Sequence, residues 1–240
     1  MPSITGMGWI YAGNSGEGRK NIQFKVGSGK LPAISHKTFF QTPYPRFNRM
    51  DEFSRLGVSA MGLALRDAGM DEWTAKRAVG VIVATVYGCL HTDLDYFETV
   101  IPEQGAFASP ALFSYTLPNC FLGEAAARFG LTGPAYVVSQ SDNTGLSSVK
   151  AVLEDMACMG LKTALAGTCD LGRPPGFPVG PDIAPGAAFV VVESQPRTER
   201  HCYGTVHLNR AREILFNGSN VWDLKSLMEN CLKQMRKSAK

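Results

Sequence analysis

The chemically most suggestive residues of this chain lie in Ser139-Gln140-Ser141-Asp142-Asn143-Thr144-Gly145, where an apolar, β-branched run gives way to a helical pattern. An acid at such a junction sits near the partial positive charge of a helix N-terminus. Asp142 is therefore placed either to cap the helix with its short side chain or to stand as a carboxylate in a remodelled nucleophile turn. Other reactive types give weaker patterns. Six cysteines (Cys89, Cys120, Cys158, Cys169, Cys202, Cys231) are widely spaced and form no C-x-x-C, which argues against a zinc site or a redox pair and for reduced thiols. Four histidines (His36, His91, His201, His207) share no metal-ligand spacing, so no metal is expected. Gly27-Ser28-Gly29-Lys30 resembles a phosphate loop only superficially, because Phe24 and Leu31 stand where that loop needs a glycine and a hydroxyl. No G-x-S-x-G elbow occurs, and Gly16-Glu17-Gly18 reads as a flexible turn, so no cofactor is expected.

The elements that must position these residues follow from periodicity. Residues 3–10 read as a short strand, followed by a polar, Gly-containing stretch that closes with Thr42-Pro43-Tyr44-Pro45-Arg46. Asp51 can cap a helix in which Phe53, Leu56, Val58, Met61, Leu63 and Leu65 recur near helical spacing until Ala68-Gly69. The run 79–85 is apolar and β-branched, as in a strand covered on both faces. Helices are expected near 92–101 and 118–129, separated by the Ser109-Pro110 break, and a strand at 135–139 precedes a helix at about 143–159. Strands at 161–167 and 187–193 flank an irregular Pro- and Gly-rich loop. The alternation predicts an α/β fold, a layered, mostly parallel mixed sheet flanked by helices. A different texture begins at 196: a strand or hairpin at 202–208, then an amphipathic helix with Leu224, Leu227, Met228, Cys231, Leu232 and Met235 on one side. This gives a domain over 1–195 and a C-terminal extension over 196–240.

With 240 residues, 45% hydrophobic and 19% charged, the chain can bury a sizeable core without disulfides or metals. The net charge of +3 is spread out, and Lys233, Arg236, Lys237 and Lys240 read as a solvated helix end, so nucleic acid is not an expected partner. No apolar run reaches the ~18 residues of a membrane span, and the N-terminus lacks the pattern of a signal peptide. A cytoplasmic location is expected, and the sequon at Asn217 carries little weight there.

Several ordered motifs over residues 3–193 resemble the N-terminal half of the β-ketoacyl synthases, the thiolase-fold condensing enzymes of fatty-acid and polyketide synthesis. Ile4-Thr5-Gly6-Met7-Gly8 is similar to the opening strand of that family. Arg49-Met50-Asp51-Glu52-Phe53-Ser54-Arg55 with Ala64-Leu65-Arg66-Asp67-Ala68-Gly69 is similar to its first long helix. The run from Val79 to Asp93 resembles the strand and glycine turn that follow. Ser109-Pro110, Asn119, Gly123 and Arg128-Phe129-Gly130-Leu131-Thr132-Gly133-Pro134 resemble the approach to the nucleophile strand. In active members a cysteine stands eight residues beyond the Gly-Pro pair, and counting from Pro134 reaches Asp142. A carboxylate there has no thioester chemistry. The two family histidines that decarboxylate the malonyl unit belong to a C-terminal half that is not found in these residues, and the family's glycine-rich stretch is reduced to Ala184-Pro185-Gly186-Ala187-Ala188.

The resemblance therefore implies a catalytically silent subunit similar to a shortened chain-length factor of bacterial aryl-polyene and related systems. Its expected partner is a full-length β-ketoacyl-ACP synthase, with an acyl carrier protein engaged indirectly. The family pairs through the strand before the nucleophile turn, here Ala135, Tyr136, Val137, Val138 and Ser139. Leu112 and Phe113, with Tyr115 and Asn119, are the expected substrate-tunnel positions, against ordinary core packing for Leu112, Phe113, Tyr115, Phe121 and Leu122. Two other expectations differ in class: an acyl-thioester hydrolase or decarboxylase using Asp142, and a self-paired scaffold that docks acyl carriers. The tail helix is expected to cover apolar surface that the absent half would otherwise bury, with Leu224, Leu227 and Leu232 facing inward.

Overall fold

Every residue of β1 (Ser3–Tyr11) is buried, which fits its place near the middle of a mixed sheet. The computed structural model describes residues 1–20, 23–27, 29–102, 104–141, 144–178, 180–196 and 202–238. A tight turn at Ala12-Gly13 returns the chain as β2 (Asn14–Glu17), antiparallel to β1, inside the stretch the sequence leaves as polar loop. After a single helical turn, α1 (His36–Phe39), comes the long helix α2 (Glu52–Asp67). Asp51 caps it by accepting from the Ser54 amide at 3.0 Å, and Gly69, at φ 65°, closes its C-terminal end. α2 lies so close to β1 that a Cβ on Gly8 would fall 2.3 Å from the Ala64 amide nitrogen. The opening-strand glycines are thus a packing requirement of this helix.

β3 (Val79–Thr85) leads through a short loop into α3 (Leu90–Val100), then the one-turn α4 (Pro110–Phe113), with Ser109 as its cap, and α5 (Cys120–Phe129), ended by Gly130 in the left-handed region. β4 (Ala135–Ser139) matches the expected strand. α6 (Leu146–Met159) begins later than residue 143, because its cap is Gly145 at φ 69°. A left-handed residue cannot continue a right-handed helix, so the helix starts after it. β5 (Thr163–Asp170), β6 (Gly186–Glu193), β7 (Gly204–Leu208), β8 (Ile214–Phe216), β9 (Ser219–Asn220) and α7 (Leu224–Ser238) complete the chain.

The strands order as β4-β3-β5-β6-β1-β7-β8-β9, with β2 also on β1. The sheet is layered and mixed, as expected, but its parallel part is confined to β4, β3 and β5. The other pairs are antiparallel. Helical crossovers link β3, β4 and β5, whereas the Pro- and Gly-rich segment from β5 to β6 holds no helix among its described residues and returns the chain antiparallel.

Strand alternation divides the apolar residues between two cores. On β6, Ala187, Phe189 and Val191 face the core of α2 and α5, whereas Ala188, Val190 and Val192 face the core shared with α6 and α7. Leu224, Leu227 and Leu232 are buried there with Ile4, Met7 and Trp9 of β1, as the tail's periodicity predicts. The tail also joins the sheet directly, since β7 pairs with β1 through Ser3 opposite Thr205. Among the described residues no helix is long and apolar enough to cross a membrane.

Candidate functional site

The C-terminal ends of β3, β4 and β5 converge on one mouth, organised by Asp170 at the end of β5. Its carboxylate accepts from the Thr85 hydroxyl at 2.9 Å, the Val86 amide at 3.1 Å and the Tyr87 amide at 2.8 Å. Thr85 Oγ1 in turn accepts from the Gly88 amide at 2.8 Å. Asp170 is 2% exposed, and burial raises its pKa, opposed by the amide and hydroxyl donors. The loop after β3 is therefore pinned through backbone groups. This acid is not among the residues expected from the sequence; its signal there is a single carboxylate ending a largely apolar run, Ala164-Leu165-Ala166-Gly167-Thr168-Cys169-Asp170.

The turn after β4 faces the same mouth. The Gln140 amide donates to the Thr85 carbonyl at 2.9 Å, continuing the ladder one residue past β4. Asp142 lies outside the described residues. Beyond it, the Thr144 carbonyl accepts from the Leu224 amide at 2.7 Å, and a Cβ on Gly145 would meet Leu224 Cβ at 3.1 Å. The start of α7 thus closes over the start of α6. Beneath them is a cavity of about 150 Å³ lined by Tyr11, Gln140, Thr144, Asp170 and Leu224 among others. Leu112, Phe113, Tyr115 and Asn119 do not line it.

No described thiol here has the character of a nucleophile. Burial and the neighbouring Asp93 carboxylate push Cys89 up to about 12, and burial also raises Cys120, Cys169 and Cys231. No group of three or more metal-ligating side chains occurs among the described residues. His91 Nε2 lies 3.1 Å from the Gly172 carbonyl, a contact that fixes the imidazole against the mouth's outer loop.

The expected tunnel positions lie instead on a separate apolar surface formed by α3, α4 and the turn into α5. Phe113 is 61% exposed, and its ring packs against Tyr96 at 5.5 Å between centroids. Phe97, Ile101, Phe107 and Leu117 are exposed near it in sequence. Leu112 is half-buried, and Asn119 is exposed at the cap position of α5 without a side-chain capping bond. Tyr115 is half-buried, packs against the α2 core and donates to Glu124 Oε1 at 3.3 Å. Phe121 and Leu122 are core residues, 0% and 2% exposed.

The expected pairing strand, β4, has β3 as its one neighbour among the described strands. Ala135 and Ser139 are exposed, whereas Tyr136, Val137 and Val138 are half-buried. Tyr136 donates to Asp155 of α6 at 2.8 Å, which holds the strand against its helix.

Comparison with known proteins agrees with this architecture. No curated protein matches the chain. Among solved structures, the ishigamide ketosynthase/chain length factor is similar with a TM-score of 0.64 and 19% identity, over 85% of this chain and 65% of that one. A β-ketoacyl synthase from Burkholderia phymatum STM815 gives 0.63 and 19%, over 85% and 62%. The complex of the ketosynthase ApeO with its chain length factor ApeC from Xenorhabdus doucetiae gives 0.56 and 17%, over 82% and 80%. These identities establish a shared fold, and the chain spans 65% of the first of these relatives. A family model described as the N-terminal domain of β-ketoacyl synthase matches residues 26–177, well over half of the chain. With the strand order, the glycine-dependent packing of α2 and the turn between β4 and α6, this match places the chain in the β-ketoacyl synthase family.

Proposed function

We propose that the chain is a catalytically silent ketosynthase-like subunit, a chain-length factor, that pairs with an active β-ketoacyl-ACP synthase in polyketide or polyene biosynthesis. The observation that carries this reading is Asp142, eight residues beyond Gly133-Pro134, where active members of the family hold cysteine. A carboxylate cannot form and pass on an acyl thioester, and burial raises the Cys89 and Cys169 thiols above their ordinary value. Residues 1–195 supply the ketosynthase-like part in this reading, and 196–240 form an extension. The acyl carrier protein engages the complex through the active partner, and the assembly works in the cytoplasm.

Two surface features support pairing. The edge of β4 offers unpaired backbone groups to a partner strand. The exposed side chains of α3 and α4 form an apolar surface of the kind that marks an interface. Leu112 and Phe113 then extend toward the partner's acyl tunnel, where side-chain volume limits product length by excluding further chain. Tyr115 and Asn119 flank them.

The test is co-expression with a full-length ketosynthase from the same genome, followed by sizing chromatography and product analysis. A stoichiometric hetero-complex is expected, with no product from this subunit alone. In the reconstituted complex Phe113→Ala is expected to lengthen the products. Self-association without a hetero-complex would sink the pairing, and unchanged product length would remove Phe113 from the tunnel.

A further inference from the structure

Next to the mouth, with Thr144 on the wall between them, the start of α6 and the β8–β9 hairpin enclose an open groove of about 290 Å³. Its walls are apolar: Leu146 from α6, Ile214 from β8, and Val221 and Trp222 from the segment between β9 and α7. Trp222 is 72% exposed, an expensive arrangement for the largest apolar side chain unless something lies against it. The groove has the size of a site for a small ligand.

Its polar groups give the ligand a sign. Lys150, half-buried on the second turn of α6, lines the groove, and no carboxylate lies within ion-pair distance of it among the described residues. Arg212, held at φ 62° in the β7–β8 turn, lines the groove and pairs with Glu154 of α6, so it fixes the hairpin onto the helix. Among the described lining residues the one acid, Glu213, is exposed and keeps its charge, but its carboxylate is turned to the Asn209 side chain, whose Nδ2 donates to it at 2.8 Å. Among the described lining residues the groove thus offers apolar walls with a half-buried ammonium outside ion-pair distance of any carboxylate. The cleft beside Trp73 differs, because its arginines are engaged: Arg66 by Glu17 and the Phe39 carbonyl, Arg128 by Thr42.

We propose that this groove binds a small amphiphilic anion, an apolar body carrying a single carboxylate, with the body against Trp222, Ile214 and Val221 and the carboxylate on Lys150. Burying the ligand's apolar surface supplies most of the affinity, and the ammonium selects the head group. The site belongs to the isolated chain and does not depend on a synthase partner.

Octanoate, octan-1-ol and octylamine are the probes. Trp9 is fully buried and the exposed Trp73 lines the other cleft, so only a change in tryptophan emission that vanishes in Trp222→Phe reports on the groove. Octanoate is expected to shift that emission saturably in the full chain, with octanol binding at least ten-fold more weakly and octylamine weaker still. Lys150→Met keeps the aliphatic stem and is expected to erase the preference for octanoate over octanol while leaving octanol affinity unchanged. Lys150→Gln serves as a second variant, and calorimetry checks Trp222→Phe for retained octanoate binding. Equal affinity for octanoate and octanol, a Lys150→Met variant that binds octanoate as the parent does, or no saturable binding of octanoate would each overturn the proposal.

Discussion

At the scale of single residues, the buried carboxylates divide by partner: Glu17 and Glu124 pair with arginine or lysine, whereas Asp67 and Asp170 are held by amide and hydroxyl donors. Asp67 accepts from the amides of Met7 and Arg19 and from the Tyr203 hydroxyl, which joins β1, the segment after β2 and the tail at one side chain. Burial raises Asp67, Asp93 and Asp170 above the ordinary carboxylate value, with the bonded donors opposing that rise. A raised folded-state pKa means that the folded chain keeps a proton the unfolded chain has released. Stability therefore falls as pH rises from the ordinary carboxylate range through the raised values, and it is recovered on acidification. Asp93 is the cleanest place to test this, since its near neighbours are the Cys89 thiol and the Asp51 carboxylate. Asp93→Asn is expected to flatten the profile and to stabilise the protein near neutral pH by under about 1 kcal/mol, because the group is partly exposed. Urea unfolding at about pH 4.5 and about pH 7 measures it. Parallel profiles for parent and variant would exclude Asp93 as a source of the slope. Asp67 and Asp170 do not stand out in the sequence, because each owes its role to donors far along the chain, whereas the local cap Asp51 is legible there.

Among the elements, those with a local cause are the legible ones. β4 matches its expected range because a β-branched run sits between Gly133-Pro134 and a polar turn. α2 is legible from its cap and its terminating glycine. The start of α6 is not, because the left-handed conformation of Gly145 depends on close packing with Thr168 and Leu224. β2 escapes notice because a four-residue polar strand takes its register from β1 rather than from its own pattern. The edge of β4 carries a prediction of its own. The Gln140 amide points to β3, so strand alternation turns the amides of Tyr136 and Val138 the same way and those of Ala135, Val137 and Ser139 outward. Val137→Pro removes an outward donor and leaves the internal ladder intact. The isolated protein is expected to melt within a few degrees of the parent, whereas the complex with the synthase fails to form on sizing chromatography. A variant that still forms the complex would move the interface away from this strand.

On the scale of the whole molecule, the decisive pairings join the two ends of the chain. β1 is central because β6 and β7, which follow it by well over a hundred residues, close on either side of it. No periodicity reveals such partners, so the sequence yields the strand at 202–208 and the inward face of α7 but not the pairing of that strand with β1. Once docked, α7 finishes a three-layer arrangement: Leu224, Leu227, Met228, Cys231 and Leu232 face the sheet, whereas Lys225, Lys233, Gln234 and Arg236 are exposed. Among the described side chains the outer face of this helix is polar. The tail is then part of the core rather than an appendage to it, and its removal is costly. Leu227 is 0% exposed, and Leu227→Ala is expected to lose about 2–5 kcal/mol in urea unfolding. Deleting 221–240 uncovers Ile4, Met7, Trp9 and Val190 together and is expected to give insoluble or unfolded protein. The exposed substitution Lys233→Ala, on the same helix, is expected to stay within about 0.5 kcal/mol of the parent. A deletion variant that remains soluble with the parent's melting temperature would mean that the sheet face is stable uncovered, and the three-layer account of this fold would have to be abandoned.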